Sequence, residues 1–334
     1  MSSADEIARV EKEIRDTPYN KATQHHIGRL KAKLARLREE EEKKKGKGKK
    51  KERGLRKEGD GTVVIIPGPT SFFDFLVNGS RDDEIRVGMM EHNGAKVELF
   101  ELPENLFGKS DFFSIARMAD LILMVFDGER INDESRIEEY LRELYRKGIR
   151  VNRDSPNMRV KKKGSGGLRV ISTVPQELKK EEIEDIAKEF YSNADIVLYE
   201  SLSYDRLIDG LAGNRTYVPS ILVRRGGDGE NSLSQIFKGE GISSDEPINI
   251  KDKIIEKLGL IRVFLKDACG DINPMAVKTG DRVKDVCVKI HTDFRKGFKY
   301  AILDGPNAKY SGQRVGLSYE LKEGDVISIK TRVV

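Results

Sequence analysis

The runs TVVIIP at residues 62–67 and LILMVFD at 121–127 constrain this chain more than any other feature. Each is nearly continuous in apolar residues and too short for an ordinary helix, so each reads as a strand covered on both faces. Such strands belong to a parallel sheet with helices above and below it. AKVELFELP at 95–103 and YVPSILVRR at 217–225 add two more strands, and helical stretches at 109–118, 133–147 and 251–258 supply crossovers for a doubly wound α/β layer. Ligands of that architecture sit at the C-terminal ends of the strands.

The segment GTVVIIPGPTSFFDFLVNG at 61–79 runs from strand through a Gly/Pro turn into a helix, the build of a phosphate-binding loop. A phosphate loop also needs a lysine to hold the terminal phosphates and a hydroxyl for Mg²⁺. Between Gly59 and Ser80 there is neither Lys nor Arg.

With 334 residues, 37% of them hydrophobic, the chain has material for two or three cored domains. No run approaches the ~18 apolar residues of a membrane span, and the charged opening MSSADEIARVEKEI is unlike a signal peptide. These features predict a cytoplasmic protein without a membrane partner. Cys269 and Cys287 show neither metal-ligand spacing nor a disulfide framework, so they read as reduced thiols, and no metal site is expected.

At the N-terminus, Ile27, Leu30, Leu34 and Leu37 form one helical stripe and Ile7, Val10 and Ile14 another, which predicts a helical hairpin with Asn20 or Thr23 as N-cap of its second helix. His25 and His26 lack metal-ligand neighbours and read as surface or packing residues. Residues 43–57 then hold ten Lys/Arg against one Glu. Lys43, Lys44, Lys45, Lys47, Lys49, Lys50 and Lys51 lie in this block, which reads as an extended polycation that neutralises nucleic-acid phosphates; the plainer alternative is a solvated spacer. Between Gly148 and Asn214 the pattern is that of a small inserted α/β module. Its entry, RVKKKGSGG at 159–167, carries Lys161, Lys162 and Lys163 and suits either a phosphate backbone or a surface turn. From Leu260, short strands, a helix near VKDVCVKIHTDF and a return strand suggest a β-grasp with its own small core, to which Cys269 and Cys287 contribute.

NKATQHHIGRLKAKLARL ahead of the basic linker, GAKVELFELP, SPNMRVKKKGSGG, NADIVLYESLSYDRLIDGLAGNRTYVPSI and LGLIRVFLK with FKYAILDG together resemble the developmentally regulated GTP-binding proteins, in the Obg group of translation-associated GTPases. The resemblance covers essentially the whole chain. It implies an α/β fold: a helical hairpin at 1–42, a basic linker at 43–58, a Ras-like P-loop G domain at 59–147 and 215–259, an inserted small α/β module at 148–214 that resembles a ribosomal-protein fold, and a β-grasp TGS domain at 260–334. It also implies GTP and Mg²⁺ as the family's ligands, association with ribosomes or RNA, and a family-specific stabilising protein.

The nucleotide motifs depart from the family pattern. Laid on G-F-P-S-V-G-K-S by its proline, the chain keeps Pro67 and Gly68 follows it, while Thr70 replaces the second glycine, Ser71 the lysine and Phe72 the Mg²⁺-binding hydroxyl. Phe72, Phe73 and Phe75 suit filling the vacated pocket, while plain core packing accounts equally well for at least Phe75 and Leu76. D-x-x-G becomes ELPE, with Glu101 keeping a carboxylate and Glu104 setting negative charge where phosphate would arrive. N-K-x-D becomes RGGD, keeping only Asp228, and Ser243 stands near the last guanine contact. These losses together predict a pseudo-GTPase with no catalytic residue and no bound cofactor, acting as a binding or regulatory factor in translation. Two alternatives stay open: a divergent GTPase that holds GTP through backbone N–H groups at Gly68 to Ser71 with Lys109 as substitute cation, and a subunit that pairs with an intact GTPase relative.

Overall fold

The computed structural model describes residues 3–48, 59–66, 76, 85–127, 133–225, 237, 240–243, 247–267 and 269–331. The chain divides into two compact units, residues 1–55 with 153–217, and 56–152 with 218–334. In chain order the strands are β1 (Gly61–Ile66), β2 (Arg86–His92), β3 (Ala95–Glu101), β4 (Leu121–Asp127), β5 (Ile149–Val151), β6 (Met158–Lys162), β7 (Leu168–Ser172) and β8 (Ala194–Leu198). They continue as β9 (Thr216–Val218), β10 (Ser220–Arg225), β11 (Glu240–Ser243), β12 (Leu260–Lys266), β13 (Ile272–Lys278), β14 (Phe298–Asp304), β15 (Gln313–Val315) and β16 (Val326–Thr331).

In the second unit a six-stranded sheet has the order β11-β10-β4-β1-β3-β2, parallel throughout except for β2, which runs antiparallel to β3. The pleat explains why the apolar runs do not alternate with polar residues. Val63, Ile65, Leu123 and Val223 pack with Ile250 and Ile254 of the helix Pro247–Lys257 on one side. Val64, Ile66, Met124 and Leu222 pack with Phe112 and Phe113 of the helix Ser110–Ala116 and with Ile137 and Tyr140 of the helix Asp133–Arg146 on the other. Each such side chain is almost fully buried, which stabilises the fold by about 1.5–3 kcal/mol per residue. The β2–β3 hairpin turns at Asn93 and Gly94 with φ of 51° and 80°, the positive pair that a two-residue type I′ turn requires.

The C-terminal part of this unit is a five-stranded sheet, order β13-β12-β16-β14-β15, in which β12 and β16 run parallel and the other pairs antiparallel. The helix Val283–Ile290 lays Val283, Val286 and Cys287 on Val263, Leu303 and Ile327, the β-grasp arrangement. Cys269 is exposed, so only Cys287 serves this core; burial pushes its thiol pKa up. The β-grasp meets the α/β layer through Lys289, whose ammonium pairs with Asp60 and donates to the Ala276 carbonyl at 2.6 Å.

The first unit joins two distant stretches of chain. Helix α1 (Ser3–Asp16) and helix α2 (Gln24–Gly48) form the hairpin, sealed by Val10, Leu30 and Leu37. Asn20 closes the turn, accepting from the N–H groups of Ala22 and Thr23 at 2.9 and 3.0 Å, while Thr23 Oγ1 accepts from the Asn20 N–H. Helix α2 runs past Glu42 to Gly48, so the start of the basic segment is helical, where charge repulsion alone suggests an extended chain. The second stretch forms a three-stranded sheet, order β6-β8-β7, and two helices, Lys180–Lys188 and Tyr204–Leu211. Ala32 and Ala35 of α2 share a core with Ile183, Ile186, Leu207 and Ile208 of those helices.

Candidate nucleotide site and basic surface

The C-terminal ends of β1, β3, β4, β10 and β11 converge on one edge of the parallel sheet, where a nucleotide would sit. Pro67, Gly68, Thr70, Ser71 and Asp228, together with Phe72, Phe73 and Phe75, lie outside the described residues. Ser243 is the last residue of β11. Glu101 is the last residue of β3 and is 4% exposed. Its Oε2 accepts from Arg86 Nη1 at 2.9 Å, with Arg86 directly opposite it in the β2–β3 register. The carboxylate is therefore committed to a half-buried guanidinium on the neighbouring strand.

Three residues on, the chain makes a short 3₁₀ turn, Glu104–Leu106. Glu104 Oε1 accepts from Arg136 Nη2 at 2.6 Å. Beside this turn the Phe107 ring lies tilted at 46° against Tyr140, 4.1 Å between ring centroids, and meets Phe112 edge-on at 5.5 Å. Burial pushes the Tyr140 phenol pKa upward, and the nearby Glu104 charge adds to the effect. Lys109 is exposed and precedes the helix Ser110–Ala116 as its N-cap. Arg86 and Arg136 escape a reading of the sequence by motif. Arg86 carries a signal, because counting outward from the Asn93–Gly94 turn sets it opposite Glu101. Arg136 carries none.

These donors do not fit a hydrated Mg²⁺. Glu101 engages Arg86 through Oε2 and Glu104 engages Arg136 through Oε1, so each carboxylate already has a guanidinium where a cation would have to compete. Among the described residues no group of three or more His, Cys, Asp or Glu side chains is placed to hold a metal.

The basic residues spread over the first unit. Lys43 pairs with Glu39 at 2.6 Å, an interaction that raises its ammonium pKa, and Lys44 is exposed. Lys45 and Lys47 lie on the last turns of α2, and Lys49, Lys50 and Lys51 fall outside the described residues. Lys161 and Lys162 belong to β6, and the loop proper is confined to 163–167. Lys162 extends over the Tyr191 ring at 5.1 Å, Lys163 pairs with Asp195 at 2.7 Å, and Lys161 is exposed. His26 meets Glu13 at 3.2 Å and His25 meets Asp185 at 3.7 Å, both on the surface.

Strand order, the edge where the strands end and the appended β-grasp define a Ras-like G domain with a C-terminal TGS domain. Residues 261–331 match the TGS domain model, and residues 165–259 match a model described as the C-terminal region of MMR_HSR1 domain. An uncharacterised GTP-binding protein of Methanocaldococcus jannaschii is 38% identical over 366 residues, covering 98% of this chain and 93% of its own. Developmentally-regulated G-protein 3 of Arabidopsis thaliana is 32% identical with 98% of each chain covered, and Developmentally-regulated GTP-binding protein 2 of Homo sapiens is 30% identical with 98% and 99% covered. The chain belongs to the developmentally regulated GTP-binding protein family. The matched lengths exceed the 334 residues of this chain, so these relatives carry segments that it lacks. No helix among the described residues is long and apolar enough to cross a membrane.

Proposed function

We propose that this chain is a pseudo-GTPase of its family, a cytoplasmic binding or regulatory factor of the translation machinery that binds GTP weakly or not at all and does not hydrolyse it. The observation that carries this reading is the buried Arg86–Glu101 pair at the end of β3. A carboxylate neutralised there cannot orient water around Mg²⁺, and the segment 59–80 supplies no cation to hold the β- and γ-phosphates. The sequence SRDDEIRVGMMEHN at 80–93 supports the same reading, since it lacks the Thr-rich stretch whose hydroxyl would bind Mg²⁺. Calorimetric titration of the full chain with GTP and GDP, with and without Mg²⁺, tests it. No binding at micromolar nucleotide is the expected result; micromolar, Mg²⁺-dependent binding overturns it and favours the divergent GTPase, with exposed Lys109 as the substitute cation.

The basic segment 43–57 and Lys161 to Lys163 support contact with RNA or ribosomes. A family-specific stabilising protein, or an intact relative, belongs to the same reading as a partner. Neutralising the lysines of 43–57 is expected to reduce ribosome co-sedimentation. It also flattens the salt dependence, by roughly 0.7 in log–log slope for each single-strand phosphate that the segment no longer neutralises.

A further inference from the structure

In the first unit the strands β6, β8 and β7 send Val160, Ile196 and Val170 to the core, packed against the helices. Alternation sends Arg159, Lys161, Asp195, Val197, Arg169 and Ile171 to the opposite face. Tyr199, next in the outward series of β8, joins them. Ile171 is 39% exposed and Tyr199 43% exposed, and none of these residues enters a hydrophobic cluster among the described residues.

The register sorts this face into two ends. Lys161 and Arg169 flank Asp195 from either side, while Arg159 and Ile171 flank Val197. The one carboxylate is already engaged: Lys163 hydrogen-bonds Asp195 and holds its carboxyl below the usual range, with Arg169 and Lys161 adding to the effect. Arg159, Lys161 and Arg169 are left as surplus positive charge. At the basic end lies the glycine loop, where Gly166 and Gly167 adopt φ of 98° and 69° and a Cβ on Gly164 or Gly167 would meet nothing within 4 Å. The backbone there is open to close approach by a bulky anion. The other end offers an aromatic ring and two branched aliphatic side chains.

We propose that this sheet face binds single-stranded RNA, with phosphates at Arg159, Lys161, Arg169 and the glycine loop and bases against Tyr199, Ile171 and Val197. The proposal rests on the reading of the chain as an RNA-associated factor and assigns the contact to a surface separate from residues 43–57. Cations alone would serve a duplex equally well. The apolar end has a use only where base faces are accessible, as in a single strand.

The test measures binding of the full chain to a fluorescent oligouridylate, an RNA duplex of equal length and a polyglutamate peptide across a salt series. The variants are Arg159→Gln/Lys161→Gln/Arg169→Gln, Tyr199→Ala, Tyr199→Phe and a neutralised 43–57 segment, each checked by circular dichroism. The triple variant is expected to bind oligouridylate at least about tenfold more weakly and to lower the log–log salt slope by about 2, three phosphates at roughly 0.7 each. Tyr199→Ala is expected to weaken binding about fivefold to a hundredfold, and Tyr199→Phe to bind like the parent. Triple and Tyr199→Ala variants that match the parent, while neutralising 43–57 abolishes binding, overturn this proposal and leave RNA association standing. Duplex binding equal to oligouridylate binding and indifferent to Tyr199→Ala overturns the single-strand assignment. Peptide competition that disappears in the triple variant does so in favour of an acidic protein. A parent chain that binds no RNA overturns both readings.

Discussion

Glu101 and Glu104 are three residues apart, each paired with an arginine, yet they contribute differently because one is buried and the other is 65% exposed on its side chain. Removing one partner of a buried pair strands the other charge in a poor solvent. Arg86→Ala is therefore expected to lower stability by about 3–5 kcal/mol, read as a drop in the urea midpoint, whereas Arg86→Met with Glu101→Leu recovers most of it. Arg136→Ala leaves Glu104 in water and is expected to cost no more than about 1 kcal/mol. The sequence made the first pair legible through Asn93 and Gly94, since a two-residue turn leaves no freedom in the register. The second pair joins a turn at 104 to a helix at 136, a contact that arises only when the helix packs on the sheet. No local pattern encodes it.

At the scale of the elements, helix α2 shows why a sequence reading catches one side of a helix and loses the other. Leu30 and Leu37 mark the face that meets α1, and their spacing is plain. Gly28, Ala32 and Ala35 mark the second face, at spacings of four and three, and small residues leave little trace in an apolar pattern. Their smallness is what admits the helix Tyr204–Leu211. A Cβ added at Gly28 would lie 2.5 Å from Cδ1 of the Tyr204 ring, which is too stiff to yield. Gly28→Ala, although it gains up to about 1 kcal/mol in helix propensity, is expected to be net destabilising, because overpacking costs about 1–3 kcal/mol. Thermal melting of Gly28→Ala beside Gly28→Ala/Tyr204→Leu checks this: the second substitution is expected to restore the stability.

At the scale of the whole molecule, the α/β layer was readable from the sequence because its central strands are continuous apolar runs, and the β-grasp because its short strands and helix follow one another with clear turns. The joining of hairpin to inserted module was not, since the two stretches are far apart in the chain. Two deletions separate these cases. A fragment from Leu260 onward is expected to melt cooperatively alone, since Val263, Val286, Cys287, Leu303 and Ile327 close its core without the G domain. Deleting residues 1–48 is expected to expose Leu207 and Ile208, so that protease cuts 153–217 while the β-grasp survives; an intact 153–217 in that digest would contradict it. The split origin of the first unit also sets an order of events during synthesis. The hairpin leaves the ribosome with its Ala32 and Ala35 side uncovered, and roughly a hundred residues must follow before its other half begins to emerge. At about 5–20 residues per second that wait lasts on the order of 5–20 seconds, long enough for a chaperone, or the ribosome surface itself, to be the first companion of that helix face.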